Sequence, residues 1–75
     1  MQKAGPVVRI AQGLLVVRAA AESIPSIGTQ VVDENIDQVG RVVDVFGPTS
    51  KPYLAISPGE NVHAPALLNA TLYVT

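Results

Sequence analysis

Turn signals recur along this chain at intervals too short for a long helix. Glycine, proline and loop-forming polar residues mark these places: Gly5-Pro6, Gln12-Gly13, 25–28, 33–37, Gly47-Pro48, Pro52 and Pro58-Gly59. Between them lie short runs rich in β-branched residues, at 7–10, 14–17, 29–32, 39–46, 53–56 and 71–74. Short strands separated by such turns are typical of all-β barrels and sandwiches, so we predict about six strands.

Closure into a barrel is the expected solution for so small a sheet, because it removes the open strand edges. We therefore predict an all-β fold, a small closed barrel of mainly antiparallel strands formed by residues 1–75 as a single domain. Residues two apart in a strand share a face, which predicts these inward pairs: Val8 with Ile10, Leu15 with Val17, Leu54 with Ile56, and Leu72 with Val74. Short helical turns are predicted at 19–24 and at 64–70, the second with Pro65 at its first position.

The opposite faces of these strands are less polar than a fully solvated barrel requires. They are predicted to carry Val7, Leu14, Val16, Tyr53 and Tyr73 beside Arg9, Arg18 and Ser57. Charged residues make up 15% of the chain, against roughly 25% in an average soluble domain. Single exposed apolar residues are ordinary, but a mixed apolar surface also suits a protein partner. Both interpretations stay open for this face.

Composition excludes several kinds of chemistry. Without cysteine, the chain has no disulfide framework, thiolate metal site or cysteine nucleophile. His63 stands alone in a loop-forming segment, and 33–37 lacks the spacing of a calcium loop and is interpreted as a turn. No phosphate-binding glycine motif occurs. We expect a binding or scaffolding protein rather than an enzyme, with no catalytic residue, no cofactor and no metal.

Charge and hydropathy limit the partners and the location of this chain. Five Lys and Arg residues against six Asp and Glu give a formal net charge of −1, which disfavours strong unaided binding to RNA phosphates. The apolar run at 14–17 is bounded by Arg18 and is too short for a signal peptide or a membrane helix. We expect an intracellular, cytoplasmic protein with no membrane partner.

The segment from 24 to 56 carries the most specific pattern. Residues 31–32, a turn at 33–35 and a return at 39–46 predict a β-hairpin, in which Gly40 indicates a bulge or a close backbone approach. Phe46-Gly47-Pro48 then ends a strand with an aromatic residue and a sharp turn, and Pro52-Tyr53 begins the next strand. Tyrosine is enriched at interface hot spots, so this turn indicates a contact surface.

These motifs together resemble a known family. They are Ile24-Pro25, Gln30-Val31-Val32-Asp33, Val39-Gly40-Arg41-Val42, Asp44-Val45-Phe46-Gly47-Pro48 and Pro52-Tyr53. The segment resembles the Gar (glycine/arginine-rich) subunit of the H/ACA small ribonucleoprotein, in its short archaeal form. The flanking residues match in strand layout only. The glycine/arginine-rich tails of eukaryotic members do not occur in this chain.

The resemblance implies a barrel of six strands that docks on the catalytic domain of a dyskerin-type pseudouridine synthase. It implies a non-catalytic subunit of the guide-RNA pseudouridylation particle. That subunit assists substrate-RNA turnover through a mobile loop of the synthase, in rRNA pseudouridylation and ribosome biogenesis. Guide and substrate RNA would be reached mainly through the synthase. The implied docking residues are Pro25, Val45, Phe46, Gly47, Pro48, Pro52 and Tyr53.

Three alternatives accompany this interpretation. Phe46 could belong to the core, with Gly47-Pro48 only turning the chain. The segment 30–45 also resembles the PRC-barrel, an adaptor domain of ribosome maturation and photosynthetic reaction-centre proteins, although that pattern does not account for the Phe-Gly-Pro turn. A small-barrel RNA-binding module would use basic residues on one face: Arg9, Arg18, Arg41 and Lys51. These positions suit ordinary solvated strand residues as well, since no stacking aromatics are expected around them.

Overall fold

The computed structural model describes residues 2–19 and 24–74, which form a closed barrel of six strands. The strands are β1 (Gln2–Ala11), β2 (Leu14–Arg18), β3 (Gln30–Val32), β4 (Gln38–Phe46), β5 (Tyr53–Pro58) and β6 (Thr71–Val74). Their order around the barrel is β1-β2-β5-β4-β3-β6, and every neighbouring pair is antiparallel. The prediction of an all-β closed barrel is confirmed.

The tight turns form where the sequence provides left-handed backbone or a side chain that caps the turn. Gln12 and Gly13 join β1 to β2 with φ angles of 54° and 76°, as a two-residue hairpin of the favoured twist requires. Between β3 and β4, Asp33 Oδ1 accepts the backbone N–H groups of Asn35 at 2.8 Å and Asp37 at 3.1 Å. The interpretation of this acidic segment as a turn is confirmed.

Helical structure is limited to one short element in the described residues. A 3₁₀ helix covers Ala64–Leu67 and has a proline in its first turn, which confirms the helical turn predicted near Pro65. Most of the other predicted helical turn, 19–24, lies outside the described residues. No helix in the described part of the chain is long and apolar enough to cross a lipid bilayer.

The turn predicted at Gly5-Pro6 is wrong. Both residues lie inside β1, where Gly5 is opposite Leu72 and Pro6 is opposite Thr71 of β6. The register shifts between Lys3 and Gly5, and Gly5 has a φ of 140°. The glycine therefore bends the strand at a bulge instead of ending it, and β1 pairs with β6 through its first half and with β2 through its second.

The barrel interior is filled by apolar side chains from all six strands. The completely buried ones are Val7, Leu15, Val17, Val31, Val42, Leu54, Ile56 and Leu72. Burying a side chain of this size contributes about 1.5–3 kcal/mol. Five of the six residues in the inward pairs predicted on β2, β5 and β6 are among these side chains, and the sixth, Val74, is also buried. These three pairs are therefore confirmed.

The predicted inward pair of β1 is half wrong, because a β-bulge changes which valine faces the core. Val8 is 42% exposed, whereas Val7 is completely buried. Val7 lies opposite Val17, and Arg9 lies opposite Val16. No residue of β2 is left opposite Val8, so Val8 is the extra residue of the bulge. Ile10, beyond the bulge, faces inward and packs against the core.

A further bulge interrupts β4, and an earlier residue of the same strand packs closely against the backbone of β5. The register between β4 and β5 shifts between Val42 and Asp44, which makes Val43 the extra residue. Val43 is exposed, whereas Val42 is completely buried. Nearby, a Cβ on Gly40 would overlap the carbonyl oxygen of Ser57 in β5. The close approach expected at this glycine is confirmed.

Candidate functional site

A stack of three side chains crosses the outer face of β2, β5 and β4. Arg18 of β2 and Phe46 of β4 each lie directly opposite Tyr53 of β5. The Phe46 and Tyr53 ring centroids are 5.7 Å apart and the ring planes differ by 25°. The Arg18 Cζ atom lies 5.9 Å from the Tyr53 ring centroid. Because β2 and β4 flank β5, Tyr53 is held between a guanidinium group and a phenyl ring. We call this arrangement the Tyr53 stack.

The Tyr53 stack is ordered without being buried. An aromatic pair of this geometry contributes about 0.5–1.5 kcal/mol beyond its buried area, and an exposed cation–π contact adds about 0.5–1 kcal/mol. Phe46 is nevertheless 40% exposed. The alternative in which Phe46 belongs to the core is therefore wrong, and the ring instead forms part of a rigid apolar surface.

The turn after β4 fits closely against this stack. Gly47 has a φ of 91°, a backbone conformation that suits glycine. A Cβ at this position would also lie 3.0 Å from Tyr53 Cδ2. Gly47 therefore serves two purposes, since it turns the chain and lets the Tyr53 ring lie against the backbone. Pro48 follows on the exposed surface.

A cleft of about 280 Å³ opens beside the stack. We call it the Val16 cleft; it is lined by Val8, Arg9, Val16, Phe46 and Tyr53. Val16 faces outward between two inward-facing neighbours, yet it is only 7% exposed because these side chains surround it. The bulge in β1 turns Val8 outward at one wall. The cleft thus has an apolar floor with a guanidinium at its edge.

Exposed apolar side chains continue on the far side of β4. The Gly28 N–H donates to the Val42 carbonyl at 2.7 Å, and the Val42 N–H donates to the Thr29 carbonyl at 2.9 Å. These bonds hold the preceding turn alongside the bulge at Val43. Ile27, in that turn, is 66% exposed. The bulge of β4 and this turn therefore each expose one further apolar side chain.

The structure brings some of the predicted docking residues together at the surface. It places the others beneath or beside that surface. Phe46, Gly47 and Tyr53 touch or adjoin one another, and Pro48 follows them at the surface. Val45 is half-buried and packs against the core. Pro52 is buried, and its carbonyl accepts the Ala19 N–H at 3.0 Å. Pro25 is half-buried in the segment before the turn that adjoins β4. Val45 and Pro52 therefore support the surface from below.

The predicted docking set did not include Val8, Arg9, Val16 and Val43, which border or extend the stack. Two of them are bulge residues, and both bulges share a sequence signal. Each contains two valines followed by a charged residue, Val7-Val8-Arg9 in β1 and Val42-Val43-Asp44 in β4. The pattern alone does not identify a bulge, because Val16-Val17-Arg18 in β2 has it too and pairs with β5 without a register shift.

Charges of both signs lie around this outer face. Arg9, Arg18 and Arg41 are exposed on β1, β2 and β4. Contrary to the expectation of no nearby aromatics, Arg18 lies against Tyr53. Asp44 is also exposed, and its Oδ1 accepts the neighbouring backbone N–H at 2.8 Å. The face is therefore mixed in charge.

The remaining candidate groups stay apart from this face. His63 is exposed immediately before the 3₁₀ helix and makes no side-chain cap to it. Asp33 is occupied by the backbone of its own turn. Across residues 2–19 and 24–74, no group of three or more His, Asp or Glu side chains is placed to hold a metal ion.

Comparisons with known proteins by sequence and by structure point to the same family. A family model described as the Gar1/Naf1 RNA-binding region matches residues 1–75. A solved structure described as the Gar1 domain of Naf1 superposes with a TM-score of 0.74 at 18% sequence identity, and the match covers 99% of this chain and 85% of that one. At this identity, the structural match establishes the fold.

Two curated archaeal relatives are also similar, and both are described as uncharacterised proteins. The one from Methanocaldococcus jannaschii is 43% identical over 47 residues, which are 63% of this chain and 54% of that protein. The one from Methanothermobacter thermautotrophicus is 32% identical over 59 residues, which are 75% of this chain and 64% of that protein. The matches thus span less than two thirds of the length of either relative.

Proposed function

This chain belongs to the Gar1/Naf1 RNA-binding region family, and from that membership we propose that it is a non-catalytic subunit of an H/ACA guide-RNA pseudouridylation particle. The family is one of RNA-binding domains and not of enzymes. In the proposed role the chain docks on a dyskerin-type pseudouridine synthase and assists turnover of substrate RNA in rRNA pseudouridylation and ribosome biogenesis. The observation that carries this proposal is the Tyr53 stack.

The Tyr53 stack has the properties of an interface hot spot. Hot spots are rich in tyrosine and arginine and lie in well-packed apolar settings. Here Arg18 and Tyr53 are held in one arrangement by ring contacts, and Phe46 offers a large exposed apolar surface beside them. Because these side chains are already ordered, docking would cost less side-chain entropy than docking on a mobile surface.

The arrangement of the stack favours a protein over RNA as the direct partner. Single-stranded RNA binds to such barrels mainly by base stacking on free aromatic faces. Arg18 and Phe46 lie against Tyr53 from its two sides, which reduces the free ring surface of this tyrosine for base stacking. Asp44 on the same outer face repels phosphate, and the formal net charge of the chain is −1. RNA would accordingly be reached mainly through the synthase.

A docking subunit can assist turnover without supplying a catalytic group. A protein that binds one conformation of a mobile loop better than another shifts the population of that loop by its differential affinity. A difference of about 1.4 kcal/mol changes the ratio of the two loop conformations tenfold. Loop opening and product release limit the rate of many enzymes, so such a shift is sufficient to change turnover.

The test is a calorimetric titration of the chain against a dyskerin-type synthase. Truncation of a hot-spot aromatic costs about 2 kcal/mol or more, so Phe46→Ala and Tyr53→Ala are each expected to weaken binding roughly thirtyfold. Leu68→Ala is the matched control. Leu68 is 47% exposed and precedes β6, which lies across the barrel from β5. This variant is expected to bind as wild type does.

Two results would overturn the proposal. The first is absence of binding between the wild-type chain and the synthase. The second is unchanged affinity for both aromatic variants while circular dichroism shows that they remain folded. Direct contact of this face with RNA is the alternative that the family description supports. Tight binding of the isolated chain to guide RNA at physiological salt would favour that alternative.

A further inference from the structure

We infer that the Val16 cleft receives an apolar side chain of the docking partner that is flanked by a carboxylate. This inference rests on the proposed docking function and adds the chemistry of the segment that the face recognises. It starts from the position of Val16, the floor of the cleft. Arg9 lies directly across from Val16 on β1, and Arg18 lies two residues along β2 on the same face. One guanidinium group, that of Arg9, therefore lines the apolar floor, and a second, that of Arg18, lies on the same face against Tyr53.

Both guanidinium groups retain unused hydrogen-bond donors. In the described part of the chain, neither Arg9 nor Arg18 forms an ion pair with a carboxylate. Asp44 is an acidic residue on this outer face and lies in the same cross-strand row as Arg9. One residue of β2 and one of β5 lie between them, so their backbones are three strand spacings apart, about 14 Å. Among residues 2–19 and 24–74, no carboxylate therefore competes with a partner's carboxylate for these two arginines.

The stacking of Arg18 also determines how it can bind. A guanidinium group placed over an aromatic ring keeps its five N–H donors in its own plane, where they can bind a carboxylate in bidentate fashion. The Arg18 Cζ atom lies 5.9 Å from the Tyr53 ring centroid. This contact restricts the side chain before a partner arrives, so that a charged hydrogen bond to it costs less entropy.

The floor of the cleft determines the rest of the ligand. Val8, Val16 and Phe46 form an apolar surface that water solvates poorly, and an aliphatic or aromatic side chain would displace that water favourably. A phosphate group at the same place would have to lose its hydration against valine side chains. The combination of an apolar floor with the Arg9 guanidinium at its edge therefore fits a protein segment that carries an apolar side chain and a carboxylate.

The test is charge substitution at Arg9, which borders the cleft without taking part in the stack. Synthase binding is measured by calorimetry at about 50 and about 300 mM salt, where screening differs strongly. Arg9→Glu is expected to weaken binding about tenfold or more at low salt and less at high salt. The affinity of Arg9→Gln is expected to lie between those of Arg9→Glu and wild type, and Arg9→Lys is expected to retain most of the affinity. Lys3→Glu, a charge reversal at an exposed position opposite Tyr73 of β6 and outside the cleft, is the matched control and is expected to stay within about twofold of wild type.

The outcomes separate this inference from the proposed function. If Phe46→Ala abolishes synthase binding while Arg9→Glu binds as wild type does, the cleft does not recognise a carboxylate and the docking function stands. If the wild-type chain does not bind the synthase, the docking function itself fails. If Arg9→Glu weakens binding to a single-stranded RNA oligonucleotide and leaves synthase binding unchanged, the occupant is RNA and the inference is overturned. Thermal unfolding confirms that each variant is folded.

Discussion

Replacing Gly47 by alanine tests whether the turn after β4 holds the Tyr53 stack in place. Gly47 and Gly28 have nearly the same backbone conformation, with φ angles of 91° and 94°. A Cβ at Gly47 would lie 3.0 Å from Tyr53 Cδ2, whereas a Cβ at Gly28 would meet no described atom within 4 Å. Gly28→Ala is therefore a control that carries the same backbone strain without the ring contact.

The structure sets different magnitudes for the two substitutions. A side chain in left-handed backbone costs about 1–2 kcal/mol, and the stiffer unfolded chain returns about 0.4–1 kcal/mol. Gly28→Ala should therefore lower the free energy of unfolding by about 1 kcal/mol. Gly47→Ala must also move the Tyr53 ring by a few tenths of an ångström, which weakens part of contacts worth about 1–2.5 kcal/mol, so its loss should be about 1.5–2.5 kcal/mol. In a domain of this size, each kcal/mol lowers Tm by about 4–8 °C.

Urea unfolding and proton NMR together measure both effects. The expected result for Gly47→Ala is the larger loss of stability together with altered ring-current shifts on the Arg18 and Phe46 side chains. For Gly28→Ala we expect the smaller loss and unchanged shifts at those side chains. Equal losses for the two variants, with the ring-current shifts of Gly47→Ala still at wild-type values, would refute the coupling between the turn and the stack.

Three further predictions concern stability and use urea unfolding as the measurement. Gly40→Ala should cost about 2 kcal/mol or more because its Cβ would overlap backbone of β5, whereas Gly59→Ala, with ordinary contact distances, should stay within about 0.5 kcal/mol; equal effects would contradict the close approach. Val7→Ala should lower the free energy of unfolding by about 2 kcal/mol, whereas Val8→Ala should change it by no more than about 0.5 kcal/mol; the reverse order would contradict the bulge. Asp33→Ala should cost about 1 kcal/mol through two lost hydrogen bonds, and an unchanged midpoint would contradict that capping.

The strands could be predicted from sequence because their signals are local. β-branched runs between glycine and proline turns correspond to all six strands, and the acidic turn after β3 was evident from its residue types. Gly5-Pro6 could not be interpreted in this way. A glycine beside a proline suits a turn or a bulge equally well, and the choice depends on β6, which lies at the other end of the chain. Pairing with a distant strand is not a property of the local sequence.

The site was predictable where one residue has a distinctive chemistry. Phe46, Gly47 and Tyr53 stand out as an aromatic residue, a flexible residue and a second aromatic residue around a turn, and the structure brings them together. Val8 and Val16 do not stand out in this way. Alternation places Val16 outward correctly, but in Val7-Val8 the bulge reverses the expected faces, and that bulge depends on the pairing of β1 with β2.

The bulges at Val8 and Val43 explain how so small a barrel presents an apolar face whose two edges carry opposite charges. β1 and β4 are the outer strands of the group β1-β2-β5-β4. An extra residue in each turns two consecutive side chains outward, Val8 with Arg9 in one strand and Val43 with Asp44 in the other. Each bulge therefore adds one apolar group and one charge to the edge of the face, and the two charges have opposite sign. A partner with complementary edges can dock in one orientation only, because rotation by half a turn would place like charges together.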